Sequence, residues 1–214
     1  MPTAVFFDLD GTVVEFTRDY TAVIEDTLTD HFGSAPEELV ETYNEAFYER
    51  FMAVEPEPVL GAMKVVCEHA EEPADPEALR ETLHGYELAM THVSDDARAL
   101  FETLGDRHHL GVLTNGVPEW QRSKLEHHEL LPLFDTVVTS YEAEAHKPDP
   151  AVFELARERA PDDIDQFVMV GDDYEPDVQG AREAGFRAVH LDRGSEGARV
   201  ANLGELGSLL SLLG

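Results

Sequence analysis

Basic residues are scarce in this chain. Of 214 residues, 45 are Asp or Glu and only 15 are Lys or Arg, a formal net charge of −30. Lysine is rarer still, with Lys64, Lys124 and Lys147 against twelve Arg. So negative a surface lacks the positive footprint that nucleic acid or an anionic membrane requires, which excludes both as expected partners. The acids are not gathered in a tail, and runs such as Glu37-Glu38, Glu71-Glu72, Asp95-Asp96 and Asp162-Asp163 read as solvated faces. Self-repulsion on this scale weakens a compact chain in dilute buffer, and salt relieves it, since the Debye length falls to about 3 Å at 1 M. The composition therefore predicts an acidic, halophilic protein from a high-salt cytoplasm.

Cysteine occurs once, so no intramolecular disulfide can form, which suits a reducing compartment. The stretch Lys64-Val65-Val66-Cys67 places that thiol on an apolar helix face, as a structural buried residue rather than a nucleophile. No apolar run approaches membrane-spanning length, and the N-terminus lacks a basic segment followed by an apolar core and cleavage site. The expectation is a soluble, cytoplasmic chain. Hydrophobic residues at 43% are enough for a proper core and argue against the disordered class.

Residues 4–9 read as a strand, and the apolar run Ala4-Val5-Phe6-Phe7 suits one buried on both faces of a sheet. From about Phe16 to Met90 the pattern is helical, over about 18–32, 37–54, 58–72 and 76–90, with Pro36, Pro56, Pro58, Pro73 and Pro76 at the seams. Strands and helices then alternate: a helix capped by Ser94, a strand at 109–114, a helix at 118–130, a strand at 134–140, a helix at 149–160, a strand at 167–173, a helix at 176–184 and a strand at 187–191. The C-terminal LGELGSLLSLL reads as a short covering helix. This order predicts a Rossmann-like three-layer α/β/α core with a parallel sheet, built from residues 1–15 and 91–214, and an all-helical cap of residues 16–90 inserted after the first strand.

In such a sheet, ligands bind beyond the carboxyl ends of the strands. The first strand delivers Asp8, Asp10, Gly11 and Thr12 there, and the second Thr114, Asn115 and Gly116. The loop after the third strand supplies Lys147 in HKPDP, and the fourth strand supplies Asp172 and Asp173, with Asp177 following in GDDYEPD. On an extended chain Asp8 and Asp10 share one side, where each raises the other's pKa unless something positive lies between them. A hard cation resolves that conflict: Asp8, Asp10 and Asp172, with no nearby His or Cys, suit Mg²⁺. The Asn115-Gly116 turn frees backbone N–H groups for phosphoryl oxygens, and Lys147 adds a second positive point.

DLDGT, LTNG, the lysine of KPDP and the GDDYEPD cluster resemble, in order, the four motifs of the haloacid dehalogenase-like hydrolase superfamily, and the helical insert resembles that superfamily's C1 cap. The resemblance implies that Asp8 is the nucleophile that forms an aspartyl-phosphate. Asp10 protonates the leaving oxygen and then deprotonates water, while Thr114 and Lys147 stabilise the phosphoryl group. It implies Mg²⁺ held by the Asp8 carboxylate, the Asp10 carbonyl and Asp172, with Thr12, Asp173 and Asp177 in supporting positions. Asp177 either reaches the metal through water or pairs with Lys147. The dehalogenase branch lacks an aspartate at the Asp10 position, so phosphoryl transfer is expected over carbon–halogen cleavage.

The leading expectation is a phosphatase acting on a small phosphorylated metabolite under a closing cap, as a monomer or small homo-oligomer. A sugar phosphomutase uses the same aspartates and is the alternative within enzymes. A non-catalytic phosphoryl-responsive or scaffold protein is the alternative of another class, opposed by the order and completeness of the motifs. Arg18, Tyr20 and Arg122 are candidate substrate contacts, with plain surface roles weighed equally for Arg18. The pairs His108-His109 and His127-His128 read as solvated surface, and Trp120 as packing.

Overall fold

Val5 and Phe7 pack on one side of the first strand and Ala4 and Phe6 on the other, all of them buried. A central strand covered on both faces is what an unbroken apolar run encodes. Burying each phenylalanine contributes about 1.5–3 kcal/mol. A computed structural model describes residues 2–192, in which this strand, β1, spans Thr3–Phe7. After β2 (Glu15–Phe16) come four helices: α1 (Tyr20–Phe32), α2 (Glu37–Met52), α3 (Pro58–His69) and α4 (Pro76–Met90). Next follow β3 (Thr91–His92), α5 (Asp95–Gly105), β4 (His109–Thr114), α6 (Pro118–His127), β5 (Thr136–Thr139), α7 (Pro150–Arg159) and β6 (Gln166–Gly171). A π-helical turn at Tyr174–Gln179 leads into α8 (Gly180–Glu183), and β7 (Arg187–His190) ends the regular structure of the described residues.

Five strands form one sheet in the order β5-β4-β1-β6-β7, with every neighbouring pair parallel. Helices cover both faces. On one, Val5, Phe7, Val112 and Val170 meet Leu100, Phe101 and Leu104 of α5. On the other, Phe6, Leu113 and Met169 meet Val152, Phe153 and Ala156 of α7. Gly111 stands opposite Phe6 in the register, and the Phe6 ring occupies the space a β-carbon there would need.

The chain divides into two compact units, one formed before residue 16 and after residue 91, the other by Phe16–Thr91. The second contains the four helices, each starting within two residues of its expected position. Pro58 and Pro76 open α3 and α4, where a missing N–H costs nothing, and the Asp75 side chain caps α4 by accepting from the Glu77 N–H. Gly33 ends α1 at φ 75°, the left-handed conformation that favours glycine. Val23, Leu28, Tyr43, Met63, Leu79 and Leu83 fill the unit's interior. The Thr17 N–H and hydroxyl both donate to the Met90 carbonyl, at 2.9 and 2.8 Å, tying the two ends of the insert together.

Two expectations change. The paired strands β2 and β3 flank the insert where no strand was expected, because two residues have no periodicity to read. Cys67 is half-buried rather than enclosed, and burial, with Asp75 nearby, pushes its thiol pKa up, away from nucleophile chemistry. The helix expected in LGELGSLLSLL lies outside the described residues. No helix among the described residues is long and apolar enough to cross a membrane.

Candidate active site

The first strand ends sooner than its sequence suggests. The Asp8 N–H still donates to the Val170 carbonyl of β6 at 2.8 Å, but the N–H groups of Thr12, Val13 and Val14 all converge on the Leu9 carbonyl. Asp8 therefore lies just past the end of β1 and Asp10 within a tight turn. Gly11 makes the turn possible at φ 86°, and a β-carbon there would press into the Asp172 carboxylate, 2.8 Å from its Cγ. As expected of neighbouring carboxylates, Asp10 raises the Asp8 pKa, and each of the two also has its own lysine.

Asp8 is paired with Lys147. The Lys147 ammonium donates to Asp8 Oδ1 at 2.7 Å, Asp177 Oδ1 at 2.6 Å and the Leu113 carbonyl at 2.9 Å, so all three of its hydrogens have acceptors. Its side chain is 2% exposed, as is that of Asp177. Asn115 fixes the loop, accepting from the Lys147 N–H at 2.8 Å and donating its Nδ2 to the Lys147 carbonyl at 3.2 Å. Burial pushes Asp8 up to about 7, and Asp177 and Asp10 add to this against the opposing pull of Lys147. Burial pulls Lys147 down, but the two carboxylates outweigh it and hold the ammonium above its ordinary value.

Asp10 is held by residues of α6 that the sequence reading did not assign to the site. The Lys124 ammonium donates to both of its oxygens, at 2.8 and 2.9 Å, and Gln121 Nε2 donates to Oδ2 at 2.9 Å. The same Nε2 lies 3.1 Å from Thr114 Oγ1 and 3.2 Å from the Asn115 carbonyl, joining the end of β4 to Asp10. Gln121 and Lys124 are three residues apart and share one helix face. The sequence marks Lys124 only by rarity, as one of three lysines; its burial is visible in the structure alone.

Carboxylate oxygens of Asp8, Asp172 and Asp177 lie within 4.8 Å of one another, and the Thr12 hydroxyl donates to Asp172 Oδ1 at 2.7 Å. The π turn brings Asp177 back toward the strand ends, where Oδ2 accepts from the Asp173 N–H at 3.2 Å. Asp177 forms the ion pair with Lys147, one of the two arrangements weighed for it, and its carboxylate also belongs to the cluster that could hold a cation. Asp173 contributes its backbone, and its side chain is exposed. Counting Asp8, Asp10, Asp172 and Asp177 against Lys124 and Lys147, two negative charges remain. That excess, presented by oxygen donors alone, fits one hard divalent cation.

Other candidates fall elsewhere. The Gly116 N–H is not open for a phosphoryl oxygen as expected, because it donates to Ser140 Oγ at 3.0 Å. Gly116 instead makes room for Gln121, whose Cδ would lie 2.7 Å from a β-carbon at that position. In the helical unit, Arg18 pairs with Asp26 at 2.7 Å, both half-exposed, and the Tyr20 hydroxyl donates to the buried Glu87 at 3.4 Å. Arg122 is exposed and Trp120 is buried. His109 is not solvated surface: its Nε2 meets the Thr136 hydroxyl at 2.8 Å. His127 packs edge-on against His128, and no histidine belongs to a metal-ligating group among the described residues.

A parallel sheet whose carboxyl edge carries this constellation, interrupted after β1 by a helical insert, defines the class. The family profile of the haloacid dehalogenase-like hydrolases matches residues 2–185, and the chain belongs to that family. Over 85 residues it is 46% identical to a phosphoserine phosphatase from Thermus thermophilus, a stretch covering 40% of this chain and 34% of that protein. It is 32% identical over 125 residues to a ribulose-1,5-bisphosphate 5-phosphatase from Halopiger xanaduensis, covering 58% of this chain and 52% of the relative. Both matches span well under two thirds of the relatives' own lengths. Among solved structures, a 2-haloacid dehalogenase from Pseudomonas syringae pv. tomato superposes with a TM-score of 0.77 over 100% of both chains at 23% identity, which reflects a shared fold.

Proposed function

We propose that this chain is a cytoplasmic phosphatase that hydrolyses phosphomonoesters of small metabolites through an aspartyl-phosphate on Asp8. The observation that carries the reading is the pairing of each aspartate with its own buried lysine at one sheet edge. Asp8 attacks phosphorus, the ester P–O bond breaks, and Asp10 gives a proton to the departing oxygen. Asp10 then takes a proton from the water that attacks the aspartyl-phosphate, releasing phosphate and regenerating Asp8. Lys147, aimed by Asp177, and the Thr114 hydroxyl balance charge on the phosphoryl oxygens. Asp8, Asp172 and the Asp10 carbonyl would hold Mg²⁺, which supplies further positive charge to those oxygens. A second aspartate favours this chemistry over dehalogenation, because a halide leaves without a proton whereas an alkoxide needs one.

The test is a phosphate-release screen over sugar phosphates, nucleotides, phosphoglycolate and other small phosphorylated acids, with Mg²⁺, at low and at molar salt. The reading expects stoichiometric inorganic phosphate from at least one class. Isomer with almost no phosphate would point to a mutase, and turnover of 2-haloacids instead would overturn the reading.

A further inference from the structure

Resting on the reading of Asp10 as the proton-transfer group, we infer that Lys124 and Gln121 are positioning residues that hold its carboxylate in one working orientation. Three observations converge on this. The fork is buried where the carboxylate is not: Lys124 is 4% exposed and Gln121 2%, while the Asp10 side chain keeps 30% of its surface open. The donors are unequal: Oδ2 accepts from both Lys124 and Gln121, Oδ1 from Lys124 alone. Oδ1 therefore has the spare lone pair, and it is the atom that gives and takes the proton. Finally, Gln121 is oriented at a cost. Its Oε1 is buried without a hydrogen-bond partner among the described residues, while its NH₂ end meets Asp10, Thr114 and Asn115. Turning the amide over would set an oxygen against the Asp10 carboxylate.

Gly116 belongs to the same device. With any β-carbon at that position Gln121 is displaced, so the glycine of the LTNG turn admits the amide that steadies Asp10. The link from Thr114 through Gln121 to Asp10 couples the hydroxyl proposed to face the phosphoryl group with the carboxyl proposed to face the leaving oxygen.

A leaving-group comparison in the full chain with Mg²⁺ tests this. The probes are p-nitrophenyl phosphate, whose phenolate departs without a proton, and benzyl phosphate, whose alkoxide needs one. Asp10→Asn serves as the reference and should lower kcat/KM on benzyl phosphate far more than on p-nitrophenyl phosphate. Lys124→Met and Gln121→Leu should reproduce that selective loss, about tenfold or more on benzyl phosphate and less than about threefold on the other. Lys124→Arg should restore most of it. In the Asp10→Asn background, Lys124→Met should add almost nothing, which separates positioning from loss of fold. If Asp10→Asn is selective but Lys124→Met and Gln121→Leu lower both substrates equally, or neither, the inference is overturned and the role of Asp10 stands. If Asp10→Asn itself shows no selectivity, the reading of Asp10 fails first and the inference with it.

Discussion

Lys147 and Lys124 are both buried at the carboxyl edge of the sheet, yet they are held in different ways. Lys147 reaches the edge from a loop and sits between two carboxylates and a carbonyl, with its own peptide clamped by Asn115. Lys124 reaches it from a helix and grips both oxygens of one partly open carboxylate. The first is a charge centre on which two buried acids depend. The second is a handle on a group that must stay mobile to protons. Two lysine–aspartate pairs of nearly equal length therefore do different work, and burial of the acid, rather than distance, separates them.

The comparison breaks most readily at Lys147. Lys147→Met leaves Asp8 and Asp177 buried without their cation, and should cost about 3–5 kcal/mol of stability together with nearly all activity. Lys124→Met leaves Asp10 in contact with water and should cost no more than about 2 kcal/mol. Urea denaturation of both variants checks the order, and equal losses would erase the distinction.

Acid should sharpen the difference. Attack requires the Asp8 carboxylate, and burial places its pKa at about 7, well above the ordinary range. Activity at limiting Mg²⁺ should therefore fall as pH drops below neutrality. Saturating Mg²⁺, which favours the carboxylate, should move that fall to lower pH. A pH profile that stays flat down to about pH 5 at limiting Mg²⁺ would contradict the assignment. Salt acts on the whole surface: with a net charge of −30, the melting temperature should rise between dilute buffer and molar salt. The smallest effect belongs to an ordinary surface pair. Arg18→Ala removes a half-exposed contact with Asp26 and should change stability by less than about 1 kcal/mol.

Most of the fold is legible in the sequence because its elements are long and periodic or bounded by strong stop signals. The strand at 109–114 and the helices opening on Pro58 and Pro76 are where pattern and proline place them. The site is legible as a set of residues but not as a set of partners. Asp8, Thr114, Lys147 and Asp172 are visible because each lies at a strand end or in a loop beside glycine or proline, where a polar or charged group demands a reason. Gln121 and Lys124 are ordinary helical residues in sequence, and only the turn at Gly11 brings Asp10 beneath them. The turn itself is not legible from strand pattern, since period-two geometry ends with β1 at Phe7. The π turn that aims Asp177 has no sequence signature beyond a proline within it.

The nucleophile is the centre of this account, and Asp8→Asn tests it most directly. The substitution keeps the shape of the side chain and removes the attacking carboxylate. With the best substrate from the phosphate-release screen and saturating Mg²⁺, the folded variant should release phosphate at no more than the uncatalysed background. Turnover at the wild-type rate would contradict an aspartyl-phosphate on Asp8.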